Sequence, residues 1–181
     1  KVKGLLRKRL LKAYEAKPLV TFDAVFIPDD PQAIGQIAPS FAVKDVEDLP
    51  LLGINTWNTP EIVQRAGRYM QQSLFVDAFF PHSMNSSATQ FTELFQKNFG
   101  SIPGTIEVQS YDAARIALHT LSEGDIQSRA KYRDSIINQG KFQGISGEFQ
   151  FTESGIKRSA YLLTVKGSNI VEVSSPQGLK K

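Results

Sequence analysis

Apolar runs alternate with helical patterns along the first hundred residues of the chain. Apolar runs at 22–27, 49–54 and 73–80 predict three strands, and helical spacing at 31–43, 58–69 and 88–99 predicts a helix after each strand. The nearly continuous run at 22–27 is typical of a strand that is covered on both faces. Three strand and helix pairs in succession require parallel pairing with right-handed crossovers.

The rest of the chain has a different pattern. A basic amphipathic helix is predicted before the first strand, at 3–16, and two consecutive helices are predicted at 107–123 and 128–138. Strands with turns between them follow, at 148–151, 158–165 and 169–173. The predicted fold is therefore an α/β fold, with an open, mostly parallel sheet flanked by helices and a carboxyl-terminal antiparallel hairpin.

Two helix starts carry capping signals. Asp30 stands before Pro31, so its carboxylate is expected to accept from the free N–H groups of the first turn. Asn58 is followed by Pro60 and Glu61, and this pattern predicts Asn58 as the N-cap of the next helix.

Polar side chains follow the first two predicted strands. Asp29 and Asp30 come after the first, and Asn55, Trp57 and Asn58 come after the second. Open α/β sheets bind small ligands outside the carboxyl ends of their strands, so these five residues are the candidate ligand-binding residues. Three of them have a structural alternative: Asp30 and Asn58 as helix caps, and Trp57 in the core instead of stacking on a ligand.

Enzyme function has little support in the sequence. Adjacent carboxylates such as Asp29 and Asp30 point in different directions, and the chain has no Gly-rich phosphate loop, zinc motif or nucleophile elbow. We expect no catalytic residue, no metal and no cofactor. An enzyme would require a cluster of acid and base groups, such as Asp29, His82 and Asp112 in one place.

Phe79, Phe80 and His82 follow the third strand and are candidates for the rim of a binding site.

Composition and charge limit the classes of binding partner that we expect. The 181 residues contain no Cys, 41% are hydrophobic, and no apolar run approaches the roughly 20 residues that span a bilayer. The formal charge of +3 comes largely from the two ends of the chain. Residues 1–11 contain no aromatic residue for base stacking, so a solvated helix face is expected there and no nucleic-acid partner.

The ordered set of motifs resembles the carboxyl-terminal lobe of type I periplasmic solute-binding proteins, the class of the branched-chain amino-acid receptors. The resemblance covers most of 22–173, including the strand segments ending at Asp29 and Trp57 and the closing segment from Gly144 onwards. Further matching segments are 67–77, Phe91 to Phe99 before Gly100, and Tyr111-Asp112-Ala113-Ala114. The segments 26–29 and 55–58 are also similar to envelope proteins of the penicillin-binding protein activator subgroup.

The resemblance implies two α/β lobes joined by a hinge, with a small polar ligand such as an amino acid held between them. It assigns 1–21 to a leading helix and linker and 22–181 to the carboxyl-terminal lobe, with the amino-terminal lobe absent from this chain. It implies a periplasmic or outer-envelope location, with membrane attachment only through an anchor outside the chain. The implied partner is an ABC permease, for transport or sensing. The alternative is an envelope scaffold that contacts a cell-wall synthase.

Overall fold

The structure, a computed structural model, describes residues 19–46, 48–123 and 126–173. The leading helix predicted at 3–16 lies outside the described residues. The first part of the fold alternates as predicted: β1 Val25–Phe26, α1 Pro31–Val43, β2 Leu51–Gly53, α2 Pro60–Ala66 and β3 Leu74–Asp77. Single 3-10 turns lie at Asn55–Trp57 and Gly67–Tyr69.

The second part holds three helices and five strands among the described residues. The helices are α3 Ser86–Phe99, α4 Thr105–Glu123 and α5 Arg129–Asn138. The strands are β4 Lys141–Gly144, β5 Gly147–Thr152, β6 Gly155–Arg158, β7 Tyr161–Lys166 and β8 Asn169–Glu172.

Strand pairing divides the molecule into two sheets. Sheet A has the order β1-β2-β3-β7-β8, with parallel pairs among the first three strands and antiparallel pairs from β3 to β8. Sheet B is the antiparallel meander β4-β5-β6. The prediction of a mostly parallel α/β sheet with a closing hairpin is confirmed, because β7 and β8 form that hairpin on sheet A.

One predicted strand, at 158–165, is wrong. The chain makes two strands there, β6 in sheet B and β7 in sheet A, and leaves one sheet for the other at Ser159 and Ala160. The residues are apolar enough for one strand, but their pairing partners lie in different sheets. Strand β4 was not predicted, since its four residues alternate too briefly to be distinguished from a loop.

The largest core lies on one face of sheet A. Helices α1 and α2 pack there against each other and the sheet, and buried residues of this core include Ile34, Ile62, Phe75, Leu163 and Val165. The opposite face is open among the described residues, with Phe26 60% exposed and Leu74 and Val76 also exposed. Among the described residues the first strand is therefore covered by helices on one face and not, as expected, on both.

Of the two predicted helix caps, the structure confirms one. Asp30 caps α1 as predicted, and its Oδ1 accepts from the Ala33 N–H at 2.8 Å. The cap of α2 is Thr59, whose hydroxyl accepts from the Glu61 N–H, so the prediction of Asn58 as the cap is wrong. The side chain of Asn58 instead donates a hydrogen bond to Asp77 at the end of β3.

Candidate functional site

The loops after β1, β2 and β3 meet at the carboxyl edge of sheet A, because these three strands are parallel. The carbonyl oxygen of Asp29 ties the first two loops together. It accepts from the Thr56 hydroxyl at 2.7 Å and from the Trp57 indole N–H at 3.0 Å. Two of the predicted site residues, Asp29 and Trp57, are thus in direct contact.

Two acidic side chains follow β1, and both are exposed. Asp29 Oδ1 accepts from the Asp30 N–H at 2.8 Å, which keeps this carboxylate at the edge of the sheet. Asp30 is engaged at the start of α1, as described above. Asp29 is therefore the acid of this pair that is better placed to meet a positively charged group of a ligand.

Trp57 packs in the core. It is fully buried, and its ring lies 5.9 Å from that of Phe75 between centroids. The backbone of Gly53 approaches so closely that a Cβ there would lie 2.3 Å from the indole ring. Trp57 therefore packs in the core and does not stack on a ligand, because its indole surface is already covered by β2 and β3. Trp57 positions the edge loops by its bond to the Asp29 carbonyl.

Asn58 joins the loop after β2 to the end of β3. Its side-chain N–H groups donate to Asp77 Oδ2 at 2.8 Å and to the Phe79 carbonyl at 3.1 Å. Asp77 is almost fully buried, and its Oδ1 also accepts from the Ala78 N–H and from the Thr105 hydroxyl. This carboxylate therefore connects β3 to the loop before α2 and to the first residue of α4.

A groove of about 660 Å³ lies beside this cluster, between α2, β8 and the segments before α3 and α4. A groove of this size can hold a small molecule. Its polar lining includes Asn58, Gln64, Asp77, His82 and Asn169, and its apolar lining includes Phe79, Phe80, Ile102 and Ile170. No lysine or arginine lines it among the described residues. Asn58 is the one predicted ligand-binding residue in this lining, while Asp29, Asp30, Asn55 and Trp57 lie along the same edge of the sheet.

A second cavity, of about 340 Å³, lies at the opposite edge of sheet A. It is bounded by the end of α1, the residues before β2, and Arg68 and Tyr69. The Arg68 guanidinium lies 4.7 Å from the centre of the Tyr69 ring. This cavity is separate from the loops that carry the predicted site residues.

The segment that leaves sheet A after β3 is anchored by an acid on β8. Glu172 Oε2 accepts from the Ser83 hydroxyl at 2.8 Å and from the Met84 N–H at 3.3 Å. The Tyr161 phenol is buried beside them, and this burial raises its pKa above the usual 10.0, against the opposite effect of Ser83 and Asn85. The groove thus has one wall that is pinned by hydrogen bonds.

Sequence reasoning missed Asp77, Thr105 and Asn169 as parts of the site. Asp77 carried a signal, since an acid at an inward position of an apolar strand is unusual unless it is hydrogen-bonded. Thr105 and Asn169 carried none, because they join the site from distant parts of the chain.

Asp29, His82 and Asp112 do not come together in one place, since the lining of the groove includes His82 but neither Asp29 nor Asp112. Asp112 is buried elsewhere and accepts from the Ile145 N–H, the Ser146 N–H and the Ser146 hydroxyl at the β4–β5 turn. Within the described ranges, no three His, Asp or Glu side chains are grouped so that they could hold a metal ion. In the same residues, no helix is both long and apolar enough to cross a membrane.

Comparisons with known proteins found similar folds among solved structures. No protein-family model and no curated protein matches the chain. Among solved structures, a Rhodospirillum rubrum protein described as a branched-chain amino acid ABC transporter matches with a TM-score of 0.76 at 16% identity. The match covers 96% of this chain and 48% of the other.

Two further structures show the same likeness. The leucine-binding protein LivK of Thermotoga maritima has a TM-score of 0.64 and 22% identity over 93% of this chain and 47% of its own. A solute-binding protein of an ABC transporter from R. palustris, solved with benzoate, has a TM-score of 0.58 and 18% identity over 93% and 46%. The chain spans about half the length of these structures, and its fold is that of the type I periplasmic solute-binding proteins.

Proposed function

We propose that this chain is part of the ligand-holding machinery of an extracytoplasmic solute-binding protein, which serves ABC transport or sensing. The observation that carries the proposal is the convergence of the loops after β1, β2 and β3 at one edge of sheet A, beside a groove of about 660 Å³. A ligand held there is bound and released without chemical change. A small polar molecule such as an amino acid is the proposed ligand.

The arrangement of the two sheets supports closure around that ligand. The chain passes from sheet A to the block of α3, α4, α5 and sheet B at 78–85, and it returns at 159–160. Two short connections between blocks that have their own apolar clusters are what a hinge motion requires. We therefore place the hinge at these connections. The lobe assigned to 22–181 then divides there, with sheet A forming one wall and the second block belonging to the opposite one.

The chemistry of the edge favours a ligand with a positively charged or hydrogen-bonding group. Asp29 offers an exposed carboxylate, and Asn55 offers an exposed amide that both donates and accepts. The side-chain N–H groups of Asn58 are engaged by Asp77 and Phe79, so Asn58 offers its amide oxygen as an acceptor. No lysine or arginine lines the groove among the described residues, so a carboxylate of the ligand would be held by N–H donors or by the opposite wall. Leucine and benzoate appear in the names of similar structures, so this fold accepts ligands of different chemistry.

The alternative function, an envelope scaffold that regulates a cell-wall synthase, has no support in the structures compared above. The leading helix predicted at 3–16 lies outside the described residues. An ABC permease is the partner that the proposed function implies, since the similar structures belong to ABC transporters.

The test is calorimetry on the protein produced from the complete reading frame that encodes these residues. We would titrate leucine, other amino acids and benzoate into the wild type and into Asp29→Asn and Asn55→Ala. Removal of a charge-assisted hydrogen bond costs about 1.5–3 kcal/mol, so the Asp29→Asn protein should bind an amino acid roughly 10- to 100-fold more weakly. Glu153→Gln, in the β5–β6 turn, is the matched control and should bind normally. No heat of binding across the whole panel would contradict the proposal.

A further inference from the structure

The cavity of about 340 Å³ lies at the edge of sheet A where the parallel strands begin, away from the groove. Its walls come from the end of α1, the start of β2 and the segment between α2 and β3. Cavities that hold small molecules have volumes of about 300–1,000 Å³, so this one has room for a small ligand. The described residues that line it include none that line the groove, so a molecule held here is separate from one held there.

The floor of this cavity is apolar. Ala38 and Leu51 line it, and both are buried members of the core on sheet A. Phe41, near the end of α1, is partly buried and packs against the same core. These side chains offer an apolar surface that can cover a hydrocarbon group of a ligand.

A cationic group lines the same cavity. The guanidinium of Arg68 lies over the Tyr69 ring, 4.7 Å from its centre, and it forms no ion pair with a described residue. A guanidinium that stacks on a ring keeps its in-plane N–H groups free, and these match a carboxylate through two parallel hydrogen bonds. Arg68 is therefore placed to bind a carboxylate.

An anionic group lines the cavity as well. Asp48 Oδ1 accepts from the Gln72 side-chain N–H at 3.1 Å, which orients the carboxylate and leaves Oδ2 for a ligand. The carboxyl end of α1 also borders the cavity and has no basic residue in its last turn. A helix carries partial negative charge at this end, so both features favour a ligand with an ammonium group.

We propose that this cavity is a second binding site, for a zwitterionic α-amino acid with an apolar side chain. Arg68 binds the carboxylate, Asp48 binds the ammonium group, and the apolar floor covers the side chain. Arg68 and Asp48 form no ion pair with each other, so both charges are available to one ligand. A simple carboxylate or a simple amine would leave one of the two without a partner. The site is additional to the groove and does not depend on the proposed function.

Substitution of the two charged residues tests the site. Arg68→Gln removes the cation. Asp48→Asn removes the acid, and Asn suits the left-handed backbone of this position, where φ is 57°. The matched controls are Arg65→Gln, an exposed arginine outside the lining, and Asp45→Asn, an exposed aspartate of the same loop with φ 56°. Circular dichroism verifies that each variant is folded.

The measurement is NMR on the product of the complete reading frame, isotope-labelled at its alanine methyl groups, with L-leucine as the probe. The methyl signals of Ala38 and Ala42, which line the cavity, should shift as leucine is added, and their titration gives the Kd. In Arg68→Gln and in Asp48→Asn this Kd should rise at least about tenfold, because each variant loses a charge-assisted hydrogen bond. Both controls should match the wild type.

Two analogues of leucine test whether a zwitterion is required. Isocaproate lacks the amino group, and isoamylamine lacks the carboxylate. Each should bind at least about tenfold more weakly than leucine at the methyl groups of the cavity. An analogue that binds as tightly as leucine would overturn the assignment of a zwitterion.

Asp29→Asn separates this site from the groove. The shifts of Ala38 and Ala42 should be unchanged in this variant, and shifts that disappear in it would come from the groove and overturn the second site. Absence of any shift in the wild type, or equal shifts in Arg68→Gln, would also overturn it. Calorimetry that detects leucine binding while the cavity signals stay still refutes the second site and leaves the proposed function standing. Cavity shifts in a protein whose binding heats do not respond to Asp29→Asn support the second site and count against the groove.

Discussion

The side-chain amide of Asn58 donates to Asp77 Oδ2 at 2.8 Å, and this bond joins the loop after β2 to the last residue of β3. The same amide also reaches the Phe79 carbonyl. Asp77 in turn accepts from Thr105 at the start of α4. One buried carboxylate therefore holds together three segments that are far apart in the sequence, and all three border the groove.

Replacement of Asn58 should loosen this junction. Asn58→Ala leaves Asp77 Oδ2 without its donor, and a buried acceptor that loses its partner costs about 1–3 kcal/mol in the free energy of unfolding. Urea denaturation followed by circular dichroism measures the change. Asn55→Ala is the control, because Asn55 is exposed on the same loop, and we expect a change within about 0.5 kcal/mol. Equal losses in the two variants would show that the Asn58–Asp77 bond contributes nothing.

Gly53 and Trp57 should behave as a coupled pair. Gly53→Ala places a Cβ 2.3 Å from the indole ring, so we expect a loss of at least about 2 kcal/mol from overpacking. In a Trp57→Leu background the smaller side chain leaves room for the methyl group. The loss in the double variant should then be smaller than the sum of the two single losses, as measured by denaturation. Additive losses would mean that the clash is relieved elsewhere.

Asp112 should be a major stabilising residue of the second block. Its carboxylate accepts from the Ser146 hydroxyl and from two backbone N–H groups, at distances of 2.7–2.8 Å. In Asp112→Asn an amide NH₂ must face one of these donors, and we expect a loss of about 2–3 kcal/mol. The control is Asp134→Asn, which removes an exposed ion pair with Arg133 and should cost less than about 0.5 kcal/mol. Comparable losses at the two positions would contradict the buried role of Asp112.

Tyr161 should contribute to the alkaline pH dependence of stability. Burial raises its pKa in the folded protein above the value of 10.0 that it has when exposed. Above that pH the unfolded chain loses the phenolic proton while the folded protein retains it, so the contribution of Tyr161 is complete below pH 10 and is lost as the pH rises through the raised pKa. The side chains of Ser83 and Asn85 lie near enough to its hydroxyl to oppose this shift, but neither is in hydrogen-bonding geometry with it.

Tyr161→Phe isolates this effect. The free energy of unfolding at pH 7 should be unchanged or slightly higher, because an unpartnered buried hydroxyl is removed. Between pH 10 and pH 11 the wild type should lose stability more steeply than the variant. Identical slopes in denaturation measured across this range would show that Tyr161 does not titrate differently in the two states.

The parallel part of sheet A and its helices were accessible from the sequence. Alternating apolar runs and helical patterns predicted β1 to β3 and α1 to α3 in order, and the helix predicted at 31–43 has the same bounds in the structure. These features depend on local periodicity and on caps such as Asp30, whose hydrogen bonds are made within one turn. The carboxyl edge of the sheet, and the position of Asp29 on it, followed from the parallel order alone.

The division of 158–165 between two sheets was decided only by tertiary structure, as were the burial of Trp57 and the joining of Asn58, Asp77 and Thr105. The pattern along a strand shows which residues alternate between the two faces, but it does not show which other strand will pair with that strand. The partner of an amide such as Asn58 is likewise fixed by whichever buried acceptor the folded chain brings within reach, 19 residues away in this case. The sequence by itself determined the local elements and the edge at which polar loops meet. Packing between distant segments decided which of those polar groups face the groove and which are consumed in holding the fold together.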